Sequence, residues 1–130
     1  FFLLREFGNF ATGFLQKIPF NYRNKYLGAW HFEIATHGWS GTDNILLTYT
    51  LDAFDGTIRY GGNDESLWIR FLEVDSVEVL VEKDGKFEIQ TEHYYFSGAG
   101  YFGGDNVVSF NTNLSVQGGG ASKSVYGTRQ

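Results

Sequence analysis

From Trp30 onward, apolar and polar residues alternate with a period of two. Trp30, Phe32 and Ile34 fall on one side of an extended chain, and His31, Glu33 and Ala35 on the other. That spacing predicts a strand lying in a sheet. The alternation returns in Ile45, Leu47, Tyr49 and Leu51; in Leu67, Ile69 and Phe71; in Val77, Val79 and Val81; and in Val108, Phe110, Thr112 and Leu114. Each set is expected to line one face of a sheet. Turn residues separate the runs. Asp55-Gly56 precedes Thr57–Tyr60, and Asp84-Gly85 lies between Val77–Glu82 and Phe87–Glu92; both dipeptides suit hairpin turns, which need positive φ. Gly61-Gly62-Asn63-Asp64 and Gly103-Gly104-Asp105-Asn106 mark two more reversals. Gly118-Gly119-Gly120 leads into a last strand, Ser122–Arg129.

Consecutive hairpins imply an up-and-down order of about eight or nine antiparallel strands. Left open, such a sheet exposes two edges, and closure into a barrel removes them. A sandwich of two sheets is the alternative. No linker, low-complexity tract or internal repeat divides the chain, so the expectation is one all-β barrel domain over residues 20–130.

Ahead of it the period is different. Leu3, Leu4, Phe7, Phe10, Ala11, Phe14, Leu15 and Ile18 recur at three-and-four spacing, the stripe of an amphipathic helix, and Pro19 ends it. Residues 1–19 are therefore read as an N-terminal helix. Three roles stay open for it: packing on its own barrel, serving a partner or membrane surface, or remaining from a secretory segment.

Composition agrees with strands and tight turns: 18% of the residues are aromatic, and there are 17 Gly and one Pro in 130 residues. The net charge of −5 and the scattered Lys and Arg exclude a nucleic-acid footprint. With no cysteine, disulfides, thiolate metal sites and cysteine nucleophiles are excluded. No apolar run reaches the roughly 18 residues of a membrane-spanning helix. The chain starts at Phe1 and contains no Met, so it is expected to be a processed or truncated product.

Tyr26-Leu27-Gly28-Ala29-Trp30 places a Gly-x-Trp at the head of the first strand, and Tyr126-Gly127-Thr128-Arg129 places a basic residue at the end of the last. This pattern resembles the calycin and lipocalin superfamily. The resemblance implies that Gly28, Trp30 and Arg129 close one end of the barrel, the guanidinium packing across the indole. From Phe20-Asn21-Tyr22-Arg23 to Gly118-Gly119-Gly120 the layout is similar to small lipocalin-like bacterial surface lipoproteins of unknown function. It departs from them in lacking the lipidated cysteine that normally anchors such proteins. An extracytoplasmic location, periplasmic or at the cell surface, follows from this likeness as an expectation.

Motifs for chemistry are weak. Gly98-Ala99-Gly100-Tyr101-Phe102-Gly103 spells the dinucleotide fingerprint, but a strand follows it where pyrophosphate binding needs a helix. Gly118–Ser124 ends in Lys-Ser without the other parts of a phosphate loop and reads as a hairpin connection. Asp64, Glu65, Glu73 and Asp75 lack calcium-loop spacing, and His31, His37 and His93 lie far apart. No metal, no cofactor and no enzymatic activity are expected.

Several strands carry apolar residues on both sides, Trp68, Phe96 and Phe102 among them, and an apolar outer face marks a contact surface. The first functional expectation is therefore a non-catalytic interaction module, an accessory subunit of a cell-envelope assembly. Its candidate partner surface is Leu3, Leu4, Phe7, Phe10, Phe14, Leu15, Trp68, Phe96 and Phe102, with peripheral membrane association open to it. The alternative is a lipocalin-like protein that binds a small apolar ligand, lined by Phe32, Tyr49, Tyr60, Phe71, Tyr95 and Phe110.

Overall fold

The structure is a computed structural model that describes residues 21–40, 45–91, 93 and 95–130, with backbone alone for 45–47. The stripe over residues 1–18 and its expected helix lie outside the described residues. A short 3-10 helix, Tyr22–Tyr26, leads into eight strands: β1 (Gly28–Ser40), β2 (Ile45–Tyr60), β3 (Ser66–Arg70), β4 (Ser76–Val81), β5 (Lys86–Ile89), β6 (Phe96–Phe102), β7 (Val107–Val116) and β8 (Gly119–Arg129). Each strand pairs antiparallel with the next, and β8 returns to β1. The result is a closed up-and-down barrel, and the sandwich alternative is removed.

Directly opposed residues on paired strands share a face, so the registers stack the interior into rows. At one end Trp30 lies opposite both Gly56 and Arg129. Above it runs Phe54–Phe32–Gly127–Val108–Phe102, and above that Asp52–Ile34–Val125–Phe110–Gly100. Leu67, Ile69, Val77, Val79, Val81, Phe87 and Ile89 of β3–β5 complete the buried core. The rings meet edge to face: Phe71 and Phe110 have centroids 5.3 Å apart, and Phe87 and Phe110 5.9 Å. Burial of each such side chain is worth about 1.5–3 kcal/mol.

The Trp30 end is closed by its own neighbours. The indole Nε1 donates to the Tyr26 carbonyl at 2.9 Å, and the Arg129 guanidinium sits 4.9 Å from the ring centroid. The contact that the resemblance implies is thus present. Arg129 also donates to the carbonyls of Leu27 (2.7 Å), Asp105 (3.1 Å) and Lys25. Tyr26 stacks on Phe102 at 3.8 Å. Outside this plug, Arg23 is only 5% exposed. It donates to the carbonyls of Asn63 (2.8 Å) and Ser66 (2.7 Å) and to Asn21 Oδ1 (3.0 Å). The Tyr22 hydroxyl donates to the Val81 carbonyl; burial first, and the Glu65 carboxylate second, hold its pKa above the ordinary tyrosine value.

Three expectations change. Asp55-Gly56 is no turn, because β2 runs unbroken through it. Gly56 is there for close approach: a Cβ would stand 1.9 Å from the Arg70 carbonyl oxygen and 3.1 Å from the Phe32 ring. Asp84-Gly85 does turn, with Gly85 at φ 95°. The inward set of β2 is not Ile45, Leu47, Tyr49 and Leu51. Pairing of Phe54 with Phe32 and of Gly56 with Trp30 turns Thr50, Asp52, Phe54, Gly56 and Ile58 inward, leaving Tyr49 and Leu51 outside at 55% and 70% exposure. One residue of shift exchanges the faces of a strand. Finally, Phe102 is 5% exposed and belongs to the core. Its strand turns Phe96, Gly98, Gly100 and Phe102 inward, so the glycines hid the inward set.

Gly56→Ala is expected to cost about 1–3 kcal/mol, since the new methyl meets backbone that cannot swing aside. A urea midpoint within error of the parent would contradict the close approach.

Candidate ligand site at the open end of the barrel

The strands differ in length, and that difference shapes the barrel's second end. β2 pairs with β3 only through Thr57–Tyr60, and β5 pairs with β6 only opposite Ala99–Tyr101. Beyond those points β2, β1, β8, β7 and β6 continue as a curved wall. Among the described residues, the free edge of β2 from 48 to 55 has no strand partner. Among the described residues, no strand of β3–β5 therefore faces this wall above the Ile34–Phe110 row.

The chemistry of the rows changes at this level. The next row is Thr50–Thr36–Lys123–Thr112–Gly98, and the one above is Thr48–Gly38–Ala121–Leu114–Phe96. Three hydroxyls and one ammonium thus stand side by side on four adjacent strands, which neighbour each other at about 4.8 Å. Lys123 Nζ donates to Thr36 Oγ1 at 3.3 Å and is half-buried. Thr112 is 4% exposed, and its hydroxyl makes no side-chain hydrogen bond among the described residues. Below this row lie Phe110, Phe71 and Ile34, all buried, with half-buried Phe54 against the core. Asp52 is inward, exposed and unpaired among the described residues. An aromatic floor under a polar rim with one cation can hold an amphipathic small molecule.

The structure does not gather all the residues expected to line a ligand. Phe32, Phe71 and Phe110 are together inside, but as packed core beneath the opening. Tyr49 is on the outer face, 4.7 Å from the His37 ring. Tyr60 is at the closed end, with the Arg23 guanidinium 4.4 Å from its ring. Tyr95 stacks with His93 at 4.9 Å. Of the expected partner surface, Trp68 is partly exposed on the outside of β3, Phe96 packs half-buried against the core, Phe102 is core, and the N-terminal members lie outside the described residues. The rim residues Thr36, Thr50, Thr112 and Lys123 were not singled out as a set. Their signal was the face they share with Val125, Gly127 and Arg129, readable only once the register of β8 on β1 is known.

Two other features lie on the outer wall of the barrel. A groove of about 660 Å³ crosses the outside of β5–β8, with Ala99, Ser109, Asn111 and Ser124 as floor between Tyr101 and Tyr126. On the outer face of β1, His31 Nδ1 meets Asp55 Oδ1 at 2.7 Å, and its Nε2 lies 4.0 Å from Glu33 Oε2. Among the described residues no group of three or more His, Asp or Glu could hold a metal ion.

No protein-family model matches the chain, and no curated protein matches it in sequence. Among solved structures it is similar to the S-type phycobiliprotein lyase CPES from Guillardia theta, at 9% identity and a TM-score of 0.47. The likeness covers 84% of this chain and 90% of that one. That protein is described as a lyase, and the expectation of no enzymatic activity, which rested on missing motifs alone, is withdrawn. The likeness assigns no activity and no residue to this chain.

Proposed function

We propose that the chain binds a small amphipathic molecule in the open end of its barrel, the apolar part resting on the Phe110 and Phe54 side of the core. The observation that supports this is the change in the interior rows, from packed aromatics to the half-open Thr50–Thr36–Lys123–Thr112 row. A barrel whose only task was structural would be expected to continue the apolar filling or to end there. An accessory role in an envelope assembly, the first expectation, has less support. Phe102, one of its three surface residues in the barrel, is core, and Phe96 packs inward.

The test is a fluorescence titration with N-phenyl-1-naphthylamine, a neutral aromatic probe, on the parent and on Ala121→Phe. Ala121 lies in the row above Lys123 and faces the opening. Saturable enhancement is expected with the parent, weakened about tenfold or more by the added ring at unchanged melting temperature. Absence of saturable binding, or equal affinity in the two proteins, overturns the proposal.

A further inference from the structure

The rim of the opening is not evenly polar, and its one cation is under-used. Among the described residues, Lys123 forms no ion pair, and its only side-chain hydrogen bond is the long one to Thr36. It is flanked in register by Thr36 on one side and Thr112 on the other. A lysine with three donors thus spends one on a neutral hydroxyl, while Thr112, a residue 4% exposed, lies beside it in register on the same face. The only other charged side chain that the registers of the described residues turn toward this opening is Asp52. It is one row lower and two strands away, across β1, at roughly 10 Å from Lys123 on strand spacing alone. That separation is about a Debye length at physiological salt, so Asp52 neither pairs with the ammonium nor cancels it.

We infer that Lys123, with Thr36 and Thr112 beside it, is an anion-recognition point, and that the ligand class is an amphiphile carrying a carboxylate or sulfonate. The inference rests on the proposed ligand site and adds its polarity. The acid group meets the β8–β1 side of the rim, and the apolar body lies away from it over the aromatic floor. An ammonium in a half-buried setting binds an anion by a charge-assisted hydrogen bond, stronger than the same contact in open water. Asp52, on the far side, disfavours the reversed orientation of the same ligand by like-charge repulsion.

The experiment compares two probes that share one ring system, 8-anilino-1-naphthalenesulfonate and N-phenyl-1-naphthylamine, on the full chain. The proteins are the parent, Lys123→Met and Lys123→Arg, with Lys123→Gln in reserve should the Met variant fail to fold. Lys123→Met is expected to weaken the sulfonate about tenfold and to leave the neutral probe within about twofold. Lys123→Arg is expected to keep most of the sulfonate affinity, and raised salt to weaken the sulfonate alone. Equal weakening of both probes would mean that Lys123 only shapes the rim, and no change with either would mean that it faces no ligand. Both outcomes overturn the inference while the binding site stands. If the parent binds neither probe, the site itself is overturned and the inference with it.

Discussion

Replacing Trp30 by alanine is expected to cost the barrel about 3–5 kcal/mol, the range for removing a large aromatic from a packed core. The indole is fully buried, opposite Gly56 on one strand and Arg129 on another, with Phe102 edge-on at 6.0 Å. Its removal leaves a cavity at the closed end and strips the Arg129 guanidinium of its aromatic partner. It also leaves the Tyr26 carbonyl without the Nε1 donor. For a domain of this size the melting temperature should fall by about 10–20 °C. Trp30→Phe keeps most of the volume and is expected to lose about 1–2 kcal/mol. If alanine costs no more than phenylalanine, the indole is not what closes this end.

Arg23→Ala is expected to cost about 2–4 kcal/mol, a large effect for a residue outside any strand. The guanidinium is buried without a carboxylate partner among the described residues, and its charge is spread over two backbone carbonyls, the Asn21 side chain and the Tyr60 ring. Truncation removes the Arg23 donor from the carbonyls of Asn63 and Ser66, which keep only their backbone donors from Ser66 and Gly61. It also unties the 3-10 helix from the β2–β3 turn. Lysine is expected to recover only part of the loss, since a single ammonium cannot span the same acceptors. Urea unfolding of the three proteins measures this, and amide exchange at 61–66 should quicken in Arg23→Ala before it quickens in β1. A loss below about 0.5 kcal/mol would show the clamp to be idle.

Much of the barrel was legible because period-two alternation is a local signal. Trp30, Phe32 and Ile34, the valines of β4 and the run Val108–Leu114 point inward as their spacing says. The errors came where a local signal had two readings. Asp55-Gly56 has turn composition, yet the glycine answers a demand from another strand, the Arg70 carbonyl, which no window around residue 56 contains. Tyr49 and Leu51 alternate as well as any inward set, but Phe54, Gly56 and Ile58 set the parity of the whole strand. The candidate site was least legible for the same reason. Thr36, Thr50, Thr112 and Lys123 come from four strands and are unremarkable one by one. Only the register makes them a row, and only the shortness of β3–β5 leaves that row without a facing strand among the described residues.

The central claim is that a ligand enters above the Ile34–Phe110 row. Amide chemical-shift mapping during titration with N-phenyl-1-naphthylamine tests it most directly. The account predicts shifts concentrated at 34–38, 48–52, 96–98, 110–114 and 121–125, with Gly28–Trp30 and Gly127–Arg129 at the closed end unmoved. Shifts confined to Ser109, Tyr101 and Tyr126 on the outer groove, or none at saturating probe, would contradict it.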